Sequence, residues 1–184
     1  MKVAVYSGSF NPMHTGHKAI IEYLTDKMHF DKVYLVVSPK NPLKSTVSEE
    51  TASERFENAR KAVDRHGLNV YLDDIELHMP SPQYTVRTLE AMKIREPEND
   101  FTFVMGADSL GSVRKWKEYQ KILTEFGVVV YPRKGYDLDA IISSLKHESP
   151  DYKITVADAQ MIDISSSEIR DSIEKGIDIS SYLL

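Results

Sequence analysis

Two histidines three positions apart stand in a segment whose composition suits the binding of a phosphate. The segment runs from Tyr6 to His17 and reads Tyr-Ser-Gly-Ser-Phe-Asn-Pro-Met-His-Thr-Gly-His. The small residues Gly8 and Ser9 allow an anion to approach the main chain. His14 and His17 share one face if a helix begins here. The free N–H groups and the partial positive charge of a helix start favour a phosphate at this place.

The elements on either side of this segment place it between a strand and a helix. An apolar run, Val3-Ala4-Val5, precedes it, and apolar residues at helical spacing follow from 19 to 24. The His-Thr-Gly-His piece alone is equally well a capped helix start without a ligand. Attached at fixed spacing to Gly-Ser-Phe-Asn-Pro, it favours a phosphate site at the first strand-to-helix turn.

Strand-like and helix-like patterns alternate along the rest of the chain. This alternation predicts an α/β fold, a single Rossmann-like domain over residues 1–184 with a parallel sheet and helices on both faces. The predicted strands are 33–37, 68–72, 101–105, 127–131 and 154–156. The predicted helices are 51–65, 84–94, a segment through Leu110, Val113 and Trp116, then 138–145 and a last helix from Ser166 or Ser167.

Ligands of parallel sheets bind at the carboxyl ends of the strands. Four segments follow predicted strands: the first motif, the loop Pro39–Lys44, the turn Gly106–Asp108 and the turn Pro132–Lys134. We therefore expect these segments to converge on one crevice.

Composition excludes several classes of protein. A chain of 184 residues with a net charge of −5 suits one domain and argues against a dedicated nucleic-acid binder. The absence of cysteine excludes disulfides and thiolate metal sites. Neither a signal-peptide pattern nor an apolar run of membrane length is present, so no membrane partner and a cytoplasmic location are expected. The sequence leaves the oligomeric state open, including a homo-oligomer.

Two further motifs carry polar groups that suit an anion. Clustered hydroxyls at Ser166 and Ser167, followed by Arg170, predict a helix start that can hold phosphate oxygens. The alternative is an ordinary serine cap. The strand end at Gly106 and Asp108 is either a simple turn or a nucleotide contact.

Taken together, these motifs resemble the nucleotidylyltransferase superfamily. The Gly-Ser-Phe-Asn-Pro-x-His-x-Gly-His string matches its signature, and residues 164–170 resemble its Ser-Ser-Thr-x-Ile-Arg element, with Ser167 in place of threonine. Gly-Ala-Asp-x-Leu followed by Trp116, and the segment around Tyr84 and Thr85, resemble the nicotinate mononucleotide adenylyltransferase branch. This branch transfers the adenylyl group of ATP to a mononucleotide and releases pyrophosphate.

The resemblance implies roles for specific residues. The catalytic residues would be His14, His17 and Lys44. The ATP-binding residues would be Gly8, Ser9, Phe10, His14, His17, Gly106, Asp108, Ser166, Ser167 and Arg170. The mononucleotide-binding residues would be Ser9, Lys44, Tyr84, Thr85, Trp116 and Arg133. No protein metal site is expected, because Mg²⁺ would be held mainly by the phosphates of ATP.

The sequence departs from the family pattern at three more positions. Ser7 replaces a glycine, Gln83 replaces a serine, and Leu43 stands where the loop before Lys44 usually has a histidine. The positive charge of Lys44 remains, so a phosphate contact from this loop is still expected.

The sequence leaves other functions open. Phosphopantetheine adenylyltransferases and cytidylyltransferases share the first motif, and we expect them to lack the features at Tyr84, Thr85 and Trp116. A nucleotide-sensing module without turnover is the alternative from another class. Nicotinamide mononucleotide is the alternative acceptor. With no Asp or Glu in 83–85 and Thr85 as a predicted N-cap, the free N–H groups favour the nicotinate carboxylate.

The remaining polar candidates are predicted to have no role in the site. Four histidines lie apart from the motifs among charged or turn residues and are predicted to be at the surface: His29, His66, His78 and His147. Asp73 and Asp74 are predicted to form a solvated turn at a strand end.

Overall fold

A computed structural model describes residues 1–39, 51–159 and 164–184. A six-stranded sheet has the order β3-β2-β1-β4-β5-β6, and all five strand pairs are parallel. Its continuous apolar, β-branched runs suit strands that are buried on both faces. The strands are β1 Lys2–Gly8, β2 Lys32–Val37, β3 Tyr71–Asp73, β4 Asp100–Gly106, β5 Val128–Tyr131 and β6 Ile154–Val156.

Helices and shorter helical turns connect these strands. The α-helices of the described residues are α1 Thr15–Asp26, α2 Ala52–His66, α3 Thr85–Arg95, α4 Ala107–Gly111, α5 Tyr119–Lys121, α6 Leu138–Glu148 and α7 Ser166–Glu174. Turns of 3-10 helix lie at Ile75–His78, Val113–Lys115 and Ser180–Tyr182, and a π-helical turn lies at Ile122–Phe126. Within the described ranges no helix combines the length and apolarity needed to span a bilayer.

The sheet separates two apolar core layers. Alternate residues of β1 enter opposite layers, with Val3 and Val5 in one and Ala4 and Tyr6 in the other. Helices α3, α4 and α6 contribute side chains to the first layer, and α1 and α2 to the second. The predicted α/β architecture, a parallel sheet with helices on both faces, is therefore confirmed.

Several predicted elements match the structure closely. Thr51 caps α2 by accepting a hydrogen bond from the N–H of Glu54, and the apolar stripe of this helix, Phe56, Ala59, Ala62 and Val63, faces the second core layer. The apolar residues of α3 at helical spacing are all fully buried: Val86, Leu89 and Met92. The last helix begins at Ser166, one of its two predicted starts. The four isolated histidines are exposed, as predicted.

The predicted bounds of the third strand are wrong. The strand comprises Tyr71–Asp73 instead of 68–72. Gly67 ends α2 with a φ of 58°, and the N–H of Leu68 bonds to the carbonyl of Val63 across that helix end. The N–H of Val70 then bonds to the carbonyl of Leu68. These hydrogen bonds form a local turn. The backbone of residues 68–70, which the prediction had assigned to the strand, is therefore not paired with β2.

The predicted helix through Leu110 and Trp116 is also wrong. Helix α4 ends at Gly111, a short 3-10 turn follows, and Trp116 has extended backbone angles. Glycine and serine are weak helix formers, and the hydroxyl of Ser112 donates to the carbonyl of Ser109 at 3.2 Å. These two residues end the helix early, so Trp116 directly follows the short 3-10 turn and is not part of the helix.

Two smaller predictions need correction. Thr85 is the first residue of α3 and not its N-cap, since Tyr84 occupies the cap position without a side-chain hydrogen bond. Asp73 is buried and pairs with Arg95, and its Oδ1 accepts from the N–H of Ile75 at 3.0 Å. The solvated-turn prediction holds for Asp74, which is exposed.

Candidate active site

The sheet has its topological switch point at β1. The strands on either side of β1 in the sheet, β2 and β4, are reached by connections that leave in opposite directions, which opens a crevice at the carboxyl ends. The turn after β1 carries the first motif, and the turn after β4 carries Gly106 and Asp108. The topology thus brings the two motifs to the same crevice, as the sequence predicts.

His14 and His17 cap helix α1 for each other. The Nδ1 of His14 accepts from the N–H of Gly16 at 3.2 Å, and the Nδ1 of His17 accepts from the N–H of His14 at 3.2 Å. The two rings stack with centroids 3.7 Å apart. Because both Nδ1 atoms accept hydrogen bonds, the proton of each neutral ring is on Nε2. Each ring therefore keeps one N–H donor for a ligand.

Burial holds both imidazoles in the neutral state. Burial, with a smaller effect from the nearby Arg133 guanidinium, lowers the pKa of His14 to about 4, while Glu168 opposes the shift. Burial, then the electrostatic effects of the neighbouring His14 and Arg133, hold the pKa of His17 well below its ordinary value. At neutral pH the two rings act as uncharged hydrogen-bond donors, and Arg133 supplies the positive charge beside them.

Gly16 is required by the close approach of an imidazole. A Cβ atom at this position would lie 2.9 Å from both Cε1 and Nδ1 of His14. Any larger residue would push the ring away from its capping position. The glycine between the two histidines therefore has a packing reason.

A cleft opens beside these rings at the ends of β1 and β5. The Nε of Arg133 is buried and has no hydrogen-bond partner within the described part of the chain, while it lies 3.8 Å from Oδ1 of Asp108. An unpaired buried donor of this kind suits an incoming phosphate oxygen. The cleft is lined by Tyr6, His14, Gly16, His17, Ile20, Tyr131, Pro132, Arg133, Ala159 and Ile164.

The start of α7 is bound to the turn after β1. Ser166 donates its hydroxyl to the carbonyl of Pro12 at 3.1 Å, and Arg170 donates to the carbonyl of Asn11 at 2.6 Å. A second nitrogen of Arg170 donates to the hydroxyl of Ser167 at 3.2 Å. The two strongest motifs, more than 150 residues apart in sequence, are therefore in direct contact.

The other predicted site residues lie along the first core layer. Tyr84 and Trp116 are both partly buried against it, and Thr85 opens α3. Trp116 packs edge to face on Phe103, with ring centroids 5.9 Å apart, and its Nε1 has no hydrogen-bond partner among the residues described. The Nζ of Lys117 lies 4.9 Å from the centroid of the Tyr84 ring. The phenol of Tyr84 and the turn that carries Trp116 are therefore neighbours.

Comparison with known proteins gives the family. The cytidylyltransferase-like family model matches residues 5–172. A protein of Flavobacterium johnsoniae named "Probable nicotinate-nucleotide adenylyltransferase" is 35% identical over 183 residues, which cover 100% of this chain and 92% of that protein. The chain belongs to the cytidylyltransferase-like family.

Further relatives of this cytidylyltransferase-like chain agree with that assignment. A Bacteroides fragilis protein of the same name is 34% identical, with 99% of this chain and 87% of that protein covered. The structure of Plasmodium falciparum nicotinic acid mononucleotide adenylyltransferase complexed with NaAD has a TM-score of 0.81 and 21% identity, and the match covers 99% of this chain and 90% of that one. At this identity the structural match supports the fold.

Parts of the predicted site lie outside the described residues of this cytidylyltransferase-like protein. Lys44 falls there, together with Leu43 and most of its loop. Among the described residues, no group of three or more His, Cys, Asp or Glu could hold a metal ion.

Sequence reasoning missed Arg55, which contacts the first motif. It lies in the first turn of α2 and is buried, with 4% of its surface exposed. A signal was present, because Arg55 stands four residues before Ala59 and so shares the apolar face of this helix. A cation in such a stripe indicates a buried polar partner. Tyr131, which also lines the cleft, was missed because it falls in an apolar strand run, and Tyr6 was given no role although it opens the first motif.

Proposed function

We propose that this chain is a nicotinate-nucleotide adenylyltransferase, in which one domain spanning 1–184 transfers the adenylyl group of MgATP to nicotinate mononucleotide. The observation that carries the proposal is the pair of neutral imidazoles, His14 and His17, each with a free Nε2–H group beside Arg133 at the switch point. The sequence predicts the same activity, and the curated relatives carry it in their names.

The reaction needs alignment more than proton transfer. The phosphate of the mononucleotide, already ionised at neutral pH, attacks the α-phosphorus of ATP. A new P–O bond forms, the bond to the bridging oxygen of the β-phosphate breaks, and pyrophosphate leaves with the electron pair. No general base is required, so catalysis comes from positioning and from donors that stabilise charge on phosphate oxygens.

The residues of the cleft suit these two tasks. We assign His17 to the α-phosphate and His14 to the neighbouring phosphates, because their Nε2–H groups are fixed by capping. Arg133, whose side chain is partly buried, adds a positive charge beside them. The phosphates of ATP would hold Mg²⁺ together with water, and the ion would supply partial neutralisation of their charge.

The remaining predicted residues surround this centre. The turn after β1 supplies Gly8, Ser9 and Phe10, and the turn after β4 supplies Gly106 and Asp108. We assign Ser166, Ser167 and Arg170 to the outer phosphates, since α7 begins beside the turn after β1. Lys44 keeps its predicted role as a phosphate contact.

We assign the mononucleotide acceptor to the side of the crevice where Tyr84, Thr85 and Trp116 lie. Helix α3 begins at Thr85 without a side-chain cap, so its first N–H groups suit a carboxylate. The fold also brings a carboxyl group close to the start of α3, which the sequence pattern did not indicate. Buried Glu76 accepts from the hydroxyl of Thr88 at 2.8 Å. An acidic side chain here opposes the preference for the acid over the amide, and we expect the helix N–H groups to outweigh it.

A panel of phosphate acceptors tests the proposal. Purified protein with saturating MgATP is given nicotinate mononucleotide, nicotinamide mononucleotide, phosphopantetheine or phosphocholine, and pyrophosphate release is measured. We expect the highest kcat/KM with nicotinate mononucleotide and formation of the deamido dinucleotide. A higher value for the amide would reject the acceptor assignment alone. Absence of pyrophosphate with all four would reject adenylyl transfer.

A further inference from the structure

Arg55 is a buried cation in an unfavourable place on its own helix. It lies in the first turn of α2, where the helix dipole disfavours positive charge, and only 4% of its surface is exposed. A buried guanidinium persists when its donors are satisfied. Its partners therefore indicate what the residue holds in place.

The guanidinium of Arg55 joins the carboxyl ends of two neighbouring strands. Nη1 donates to the carbonyl of Ser9 at 2.9 Å and to that of Ser38 at 2.8 Å, and Nη2 donates to the carbonyl of Pro39 at 2.8 Å. Ser9 follows β1, while Ser38 and Pro39 follow β2. One side chain thus fixes the starts of both loops that leave these strands.

The contact with Ser9 also orients the next amide. In a trans peptide the C=O and the following N–H point in opposite directions. With the Ser9 carbonyl turned toward Arg55, the N–H of Phe10 is held pointing away from it. Phe10 has a φ of 45°, a conformation that is costly for a residue with a side chain. The bond from Arg55 stabilises the turn immediately before this strained residue.

The same turn supports a catalytic ring. The Phe10 side chain is 2% exposed and packs edge to face on the His17 imidazole, with centroids 5.0 Å apart. A change in the backbone at Ser9 therefore reaches His17 through one packed contact.

We propose that Arg55 is a positioning residue for adenylyl transfer, which fixes the turn after β1 so that the Phe10 N–H and the His17 ring stay aligned. This inference rests on the proposed function for its catalytic part. Arg55 itself touches neither substrate in this assignment, and it acts through the main chain of Ser9.

Arg55→Lys tests the inference with a matched control on the same helix. Lysine keeps the charge but cannot reach three carbonyls with the planar fork of arginine. We expect kcat to fall about 30- to 100-fold, the range for a displaced catalytic group, with the KM for ATP changed less than about threefold. Arg60→Lys should leave both unchanged, because Arg60 is half exposed and pairs with Glu57 and Asp64 at the surface.

Two further measurements separate positioning from simple loss of stability. Hydrogen exchange of the segment 7–13 without substrate should be faster in Arg55→Lys than in wild type, and unchanged in Arg60→Lys. Arg55→Ala should regain part of its kcat with millimolar guanidinium chloride but not with methylammonium chloride.

The outcomes distinguish this inference from the proposed function. A wild type that forms no dinucleotide rejects the function, and unchanged exchange of 7–13 in Arg55→Lys then rejects the positioning as well. If the wild type is active and the Arg55→Lys variant keeps its kcat within about threefold of wild type, the inference alone is rejected. A loss of kcat that only follows the unfolded fraction, measured by circular dichroism at the assay temperature, also rejects it.

Discussion

The two sides of the crevice are held together in different ways. On the side that we assign to the triphosphate, side chains from distant elements donate to carbonyls of the turn after β1: Arg55 to Ser9, Ser166 to Pro12 and Arg170 to Asn11. On the side that we assign to the acceptor, Trp116 and Tyr84 are held by packing against an apolar layer. Hydrogen bonds to the main chain fix atoms more closely than apolar contacts, which tolerate substitution when volume is kept.

This difference suggests how the two sides serve the reaction. Stabilising a transition state demands donors at fixed positions, while a flat ring needs a surface of the right size. We therefore expect changes on the triphosphate side to lower kcat and changes on the acceptor side to raise the KM of the mononucleotide.

The largest expected effect is at His17. Removing its Nε2–H donor in His17→Ala should lower kcat by about two to three orders of magnitude, the range for one transition-state donor. Steady-state kinetics at saturating MgATP check this. Near-wild-type turnover would remove His17 from its assigned role, and circular dichroism at the assay temperature checks that the variant is folded.

The second largest expected effect is a change in the free energy of unfolding with pH. The pKa of His14 is held at about 4 in the folded protein, below its ordinary value of 6.5, so the folded state binds fewer protons than the unfolded chain between these values. The contribution of His14 to the free energy of unfolding is therefore fully present above pH 6.5. It falls as the pH drops toward 4, with a slope that approaches about 1.4 kcal/mol per pH unit.

Urea unfolding at several pH values measures this loss, with His14→Asn as the control. Asparagine is a good N-cap that does not titrate, so its profile should be flatter over the same range. Parallel profiles for the two proteins would contradict the neutral, buried state of His14.

A smaller effect is expected at Trp116. Trp116→Leu should raise the KM of the mononucleotide about tenfold, within the range for loss of one aromatic stacking partner, and leave the KM of ATP unchanged. Trp116→Phe should restore most of the affinity. A rise in the KM of ATP instead would place Trp116 on the other side of the crevice.

The smallest effect concerns the choice of acceptor. Glu76→Gln keeps an oxygen that accepts from the Thr88 hydroxyl and replaces the acidic carboxyl with a neutral amide, so the ratio of kcat/KM for nicotinate over nicotinamide mononucleotide should rise by about two- to fivefold. Competition between the two acceptors measures the ratio. An unchanged ratio would show that Glu76 has no electrostatic influence on the ring.

How far the sequence predicts this molecule depends on how local each feature is. The order of strands and helices, and the place of the first motif between a strand and a helix, follow from patterns within about twenty residues, and these predictions agree with the structure. Trp116 was assigned to a helix because its spacing from Leu110 suits one, but Gly111 and Ser112 end that helix. Arg55 was missed because its role depends on carbonyls in two other loops, which are brought together by the sheet.

The paired caps of α1 have a consequence for natural variation in this chain. At most enzyme sites, a substitution that removes a catalytic donor leaves the fold intact, so folding and turnover are under separate selection. Here each Nδ1 stabilises the start of a helix, while the Nε2 of the same ring is assigned to the phosphates. Selection for a stable protein and selection for a fast one act on opposite nitrogens of the same two side chains. Few substitutions can satisfy one demand without failing the other, so we expect positions 14 and 17 to vary more slowly than Arg133, which caps none of the described helices.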